Sequence, residues 1–130
     1  MDKVKVGIIG CGNISGIYFK MMREVYNSIL DVAACADLDM SRAKAKAAEH
    51  PGVKAMSVSK LLADPEIKIV VNLTVPKAHA PVAMKALKAG KNVYSEKPLT
   101  ITRSQGQRLL ALAREKGLLV GNAPDTFLGG

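Results

Sequence analysis

Tryptophan is absent, and aromatic residues of all kinds make up 4% of the chain. Stacking platforms of the sort that hold single-stranded nucleic acid therefore have little to be built from. Acid is the scarcer charge: 11 Asp and Glu stand against 19 Lys and Arg, a formal net charge of +8. The surplus cation is spread over several predicted helices, at Lys44 and Lys46, Lys85 and Lys88, Arg103 and Arg108, and Arg114 and Lys116. That scatter, without interleaved aromatics, reads as solvated helix faces, so no nucleic-acid partner is expected; an anionic small ligand would still be drawn by the field. The two cysteines, Cys11 and Cys35, lack metal-ligand spacing. They read as reduced thiols of a cytoplasmic protein, with no metal site. No apolar run approaches the ~18 residues of a membrane helix, and the chain enters a strand pattern almost at once, without a signal peptide. Neither membrane nor export is expected. Internal repeats, low-complexity tracts and flexible linkers are missing too. What is present is 130 residues with 48% hydrophobic content, enough for one globular domain with a core.

The most informative stretch is 3–16. Val4, Val6, Ile8 and Ile9 form a β-branched run that stops at Gly10-Cys11-Gly12. Ile14, Ile17, Tyr18, Met21, Met22 and Val25 then recur at helical spacing and are expected to form the buried face of a helix. Glycines at a strand-to-helix turn let the chain turn sharply (Gly10) and leave space for a pyrophosphate at the backbone (Gly12), where the first helix amides favour an anion. The third glycine of the usual pattern is replaced by Ser15, small enough to substitute. A turn that simply needs glycine is the alternative, but the context required of a dinucleotide site is met: strand before, helix after, acid downstream.

Strands and helices alternate along the whole chain. The spacing predicts strands at 3–10, 30–36, 53–56, 67–74, 92–95 and 118–121. Helices are predicted at 13–27, 41–50, 57–62, 77–89 and 102–116. Asp39 is the expected N-cap of the second helix. Ala78, Val82, Ala86 and Ala89 are expected to be the buried face of the fourth. Right-handed crossovers turn this order into an α/β, doubly wound parallel sheet, a Rossmann fold with strand order 3-2-1-4-5-6. Ligands then bind outside the carboxyl ends of the first and fourth strands.

Candidate site residues follow from that geometry. Asp37 closes the second strand about 20 residues past the glycines, where a carboxylate can accept both hydroxyls of an adenosine ribose and repel a 2′-phosphate. Its alternative is a helix cap. Arg42 can pair with Asp37, stack on adenine or meet a 2′-phosphate. NAD is thus favoured, with NADP left open. Thr74, Val75 and Pro76 end the fourth strand and face the ligand; His79 follows as a cofactor-side or surface histidine. Glu96-Lys97-Pro98 ends the fifth strand. An ammonium there can hydrogen-bond a substrate hydroxyl and stabilise a developing alkoxide, the alternative being a surface lysine.

Together these residues resemble the Gfo/Idh/MocA oxidoreductases. The resemblance covers essentially the whole chain and is carried by Gly10-Cys11-Gly12-Asn13-Ile14, by Thr74 to His79, and above all by Ala89 to Leu99 with its Glu96-Lys97-Pro98. It implies that Gly10, Gly12, Asn13 and Ile14 lie at the pyrophosphate and Asp37 at the ribose. It further implies that Glu96 and Lys97 lie at the nicotinamide end, Lys97 polarising the substrate as the catalytic residue. Val75 and Pro76 stand where the family usually has Pro and Asn, which removes one polar contact. Members are more than twice this length, with a second domain that carries the catalytic histidine and the oligomer interface.

Residues 1–123 are accordingly read as one dinucleotide-binding domain and 124–130 as the start of a linker to a second domain. The expected parent activity is hydride transfer between a nicotinamide cofactor and a secondary alcohol of a sugar or cyclitol, in a homo-oligomer, with the isolated chain binding cofactor without turnover. The alternative is a non-catalytic dinucleotide-binding sensor or regulatory module.

Overall fold

The alternation of apolar runs and capped helices closes into one parallel sheet. A computed structural model describes residues 3–12, 14–96 and 102–122. Its strands are β1 (Val4–Ile9), β2 (Leu30–Ala36), β3 (Lys54–Met56), β4 (Ile67–Asn72), β5 (Asn92–Ser95) and β6 (Val120–Asn122). Between them lie α1 (Ser15–Lys20), α2 (Met40–Glu49), α3 (Val58–Ala63), α4 (Pro76–Lys88) and α5 (Arg103–Lys116). The six strands run in the order β3-β2-β1-β4-β5-β6, every neighbouring pair parallel. This is the Rossmann fold expected from the sequence, with β2 and β5 at the predicted bounds.

Local chemistry sets the helix starts. Asp39 caps α2 by accepting the Ser41 amide at 3.0 Å, and Ser57 caps α3 by accepting from Lys60 at 3.2 Å. Thr102 and Gln105 form a reciprocal capping box on α5. Pro76 opens α4, where a missing N–H costs nothing.

Two layers of helix cover the sheet. Phe19 and Met22 from α1 and its continuation pack with Ala43 of α2 against Val6, Ile8, Val32 and Cys35. On the opposite face Leu61 of α3, Ala83, Ala86 and Leu87 of α4, and Leu109 and Ala113 of α5 pack against Ile9, Val70 and Val93. Right-handed crossovers require this division: β1-β2-β3 wind one way from the centre and β4-β5-β6 the other. Among the described residues no helix covers β4 and β5 on the α1 side. A largely apolar groove of about 640 Å³ lies there, lined by Ile17, Tyr18, Met21, Ile69, Val71 and Tyr94 among others.

The buried faces of two helices differ from those read off the sequence. In α1 the buried residues are Ser15 and Phe19, followed by Met22, while Ile14 (48% exposed), Ile17 (49%) and Val25 (62%) face outward. The helix has apolar residues on two sides, and α1 passes into a π-helical turn, Met21–Val25, whose wider spacing changes the register. In α4 the buried set is His79, Ala80, Ala83, Ala86 and Leu87; Ala89 is exposed and Ala78 and Val82 only half-buried. The helix packs on both the sheet and α5, and that wider stripe is one step away from the alanine row chosen by period alone.

Candidate functional site at the carboxyl ends of the central strands

The site is built where β1 and β4 lie side by side and the strand order reverses. Gly10 follows β1 with φ of 106°, and a Cβ there would stand 2.6 Å from the Leu73 carbonyl carbon and oxygen. Its glycine is demanded by the protein's own backbone. Gly12 is different: among the described residues a Cβ would meet nothing within 4 Å. The cradle beside it is open, as a pyrophosphate lying on the turn requires. Ser15, fully buried, closes the turn by donating its amide (3.1 Å) and hydroxyl (2.6 Å) to the Gly12 carbonyl. Ile14, half exposed, borders the same turn, and Asn13 lies outside the described residues.

Asp37 reaches the turn from the end of β2. Its Oδ2 accepts the Cys11 amide at 2.7 Å and its Oδ1 the Asp39 amide at 2.8 Å. The α2 cap is Asp39, so Asp37 is not used as one. Each carboxylate oxygen retains a second lone-pair direction for a hydroxyl donor. Arg42 pairs with Asp39, Nε to Oδ2 at 3.9 Å on the surface, and not with Asp37. The Cys11 and Cys35 thiols are free and buried beneath the turn. The neighbouring Cys35 thiol, with burial second, pushes the Cys11 thiol above its ordinary value, so it stays protonated, donating to the Ala36 carbonyl at 3.5 Å.

Across the crevice, the end of β4 carries a residue that the sequence reading did not single out. Asn72 is fully buried. Its Nδ2 donates to the His79 carbonyl at 2.8 Å, and its Oδ1 accepts from the Thr74 hydroxyl at 2.7 Å and the Thr74 amide at 3.4 Å. His79 is 1% exposed, with Nε2 2.6 Å from the Thr74 carbonyl oxygen. The structure thus places it inside the β4–α4 junction and not on the surface. Val75 (68% exposed) and Pro76 form the open lip of that junction.

Glu96, just past β5, donates its amide to the Asn72 carbonyl at 3.0 Å. Its Oε2 accepts the Tyr18 hydroxyl at 2.5 Å. Burial first, then the hydrogen bond to Glu96, holds the Tyr18 phenol well above its usual range, so it remains a donor. The sequence showed Tyr18 only as an apolar helix position; its hydroxyl ties α1 to the end of β5. Lys97, Pro98 and Leu99 lie outside the described residues. Among the described residues no cluster of His, Cys, Asp and Glu could hold a metal ion, and no helix is long and apolar enough to cross a membrane.

Residues 4–123 match the family described as oxidoreductases with an NAD-binding Rossmann fold, Gfo/Idh/MocA. A dTDP-3,4-didehydro-2,6-dideoxy-alpha-D-glucose 3-reductase of Saccharopolyspora spinosa is 35% identical over 90% of this chain and 35% of its own length. The scyllo-inositol 2-dehydrogenase (NADP(+)) IolW of Bacillus subtilis is 30% identical over 92% of this chain and 33% of its own. Among solved structures, GenD2 from gentamicin A biosynthesis in complex with NAD superposes with a TM-score of 0.87 at 25% identity, over 94% of this chain and 34% of that one. KijD10, a 3-ketoreductase from Actinomadura kijaniata in complex with NADP and TDP-benzene, gives 0.82 at 34% identity, over 93% of this chain and 37% of that one. The chain spans about a third of the length of the relatives it matches.

Proposed function

The chain belongs to the Gfo/Idh/MocA oxidoreductase family as an NAD(P)-binding domain, and from that premise we propose that it serves an enzyme moving a hydride between a nicotinamide cofactor and a secondary alcohol of a sugar or cyclitol. The observation that carries the reading is the pairing of an open cradle at Gly12 with a carboxylate, Asp37, bonded to the same turn. A turn that needed glycine only for its own path would show a reason inside the protein, as Gly10 does and Gly12 does not.

Gly12, with Asn13 and Ile14, receives the pyrophosphate. Asp37 accepts the ribose hydroxyls and disfavours a 2′-phosphate, which makes NAD the preferred cofactor; Arg42, held by Asp39, is the cation an NADP 2′-phosphate would have to recruit. Thr74, Val75 and Pro76 face the second nucleotide half, braced by His79 from behind. The nicotinamide, when bound, supplies the hydride acceptor or donor. Lys97, following the anchored Glu96, binds the substrate hydroxyl and stabilises the alkoxide. A lysine with an ordinary pKa near 10.4 is a poor base at neutral pH, and His79 is committed to the Thr74 carbonyl. The 130-residue chain therefore binds cofactor without turning it over, acting in the cytoplasm where Cys11 and Cys35 stay reduced.

Calorimetric titration with NAD+ and NADP+ tests this. Binding of NAD+, tighter than NADP+, is expected; no binding of either overturns the reading, and tighter NADP+ overturns the preference.

A further inference from the structure

We propose that Asn72 is a positioning residue for the nicotinamide half of the dinucleotide site; the inference rests on the cofactor-binding reading above. A doubly wound sheet is two mononucleotide-binding halves, one on β1-β2-β3 and one on β4-β5-β6. Asp37 belongs to the first. Asn72 is the last residue of β4, the innermost strand of the second.

The strand itself has no use for an amide at this position. Val70 and Val71 before it and Leu73 after it are buried apolar residues, and the β-ladder is made by backbone groups. A buried primary amide is costly unless its donors and acceptor are engaged. Here they are engaged outward, along the chain that leaves the strand. Nδ2 holds the His79 carbonyl in the first turn of α4, and Oδ1 holds the hydroxyl and amide of Thr74. His79 completes the ring by bringing Nε2 to the Thr74 carbonyl. The Asn72 backbone carbonyl takes the Glu96 amide. One residue thus fixes the β4–α4 turn against its own helix and joins the end of β5 to it. Being fully buried, Asn72 does not touch ligand; it acts through Thr74 and the turn.

The turn on the β1 side is held by other bonds, Asp37 to Cys11 and Ser15 to Gly12. Loosening Asn72 should therefore weaken contacts to the nicotinamide half and spare those to the adenosine half. That split separates a positioning role from a merely structural one, which would weaken both.

The test is titration of the chain, Asn72→Val, Asn72→Ser and Thr74→Val with NADH and with ADP, which lacks the nicotinamide and its ribose, together with the emission of bound NADH. For Asn72→Val, NADH affinity should fall about tenfold, the size of a lost buried hydrogen-bond partner, while ADP changes less than about twofold. Bound-NADH emission should move toward that of free cofactor. Thr74→Val removes the hydroxyl that Asn72 holds and should act in the same direction, about threefold; because Thr74 itself faces the ligand, Asn72→Ser, smaller and still polar, decides the matter if Asn72→Val does not fold, with the same split expected. Parallel losses for NADH and ADP, or no loss for either, overturn the positioning role. Failure of the unaltered chain to bind both ligands overturns the cofactor-binding reading and the proposal with it.

Discussion

Asp37 and Cys11 are joined across 26 positions of sequence by a 2.7 Å bond from the Cys11 amide to the Asp37 carboxylate. The residue that would recognise the ribose is thereby also a support of the turn that would receive the phosphates. A substitution at Asp37 acts on both.

Asp37→Ala should lower NAD+ affinity by about tenfold or more, since charge-assisted hydrogen bonds contribute roughly 1.5–3 kcal/mol. NADP+ should lose less, because the repulsion of its 2′-phosphate disappears with the carboxylate. A narrowed NAD+/NADP+ ratio in calorimetry is the expected outcome; an unchanged ratio would show that Asp37 does not read the ribose. Thermal unfolding should also shift down by the equivalent of about 1–2 kcal/mol, for the Cys11 and Asp39 amides left without their acceptor.

The two glycines of the turn should separate cleanly. Gly12→Val places its Cβ where no described residue lies within 4 Å, so the variant should melt close to the unaltered chain and yet bind no detectable NAD+. Gly10→Ala meets the Leu73 carbonyl at 2.6 Å with φ at 106°. It should cost about 2 kcal/mol or more of stability. Unchanged affinity in a folded Gly12→Val protein would put the phosphate site elsewhere.

His50 gives a pH dependence. Its ring stacks on Phe19 with centroids 4.4 Å apart and planes 3° from parallel. Burial, aided by the charge of Arg23, lowers its pKa below the ordinary 6.5. In the window between the folded value and 6.5 the unfolded chain binds the extra proton, so stability rises with pH there. The contribution is complete above the unfolded value and is lost as pH falls through the folded one. Melting temperature should drop as the pH falls below the ordinary 6.5. His50→Gln should flatten that dependence, and an equal slope in the variant would remove His50 as its source.

Turnover should need more polypeptide than this chain. NADH formation from myo-inositol, glucose and related polyols should be absent with the 130-residue protein and appear in one extended to the relatives' length. There, Lys97→Ala should cost about 100-fold or more in rate. Robust turnover by the short chain, abolished by Lys97→Ala, would show it to be a complete enzyme.

Much of the architecture could be read from the residues because independent signals agreed. The Val-Ile runs and the Asp39 cap mark boundaries by local chemistry, and the helix starts read at Ser57, Thr102 and Lys77 fall within one residue of those in the structure. The face of α1 could not be read in the same way. Ile14, Ile17 and Met21 are as apolar as Phe19 and Met22, and period alone cannot choose between two hydrophobic sides. The only local trace of Asn72 was an amide in the run Ile67–Leu73. Its ties to Glu96 and His79 exist only after strands, turn and helix have assembled. The Tyr18–Glu96 bond, spanning 78 positions, is hidden for the same reason.

Among the described residues no helix lies over β4 and β5 beside α1, and the groove left there has a colloidal consequence. Among the described residues that largely apolar groove is open, and the chain carries a net charge of +8. Mutual repulsion between like-charged molecules keeps such grooves apart only over the range at which the charges are felt, about 10 Å at 0.1 M salt and about 3 Å at 1 M. Ionic strength therefore acts on this protein in two opposed ways. It quiets the field that draws an anionic cofactor toward the glycine turn, and it removes the barrier that keeps one molecule's oily groove from meeting another's.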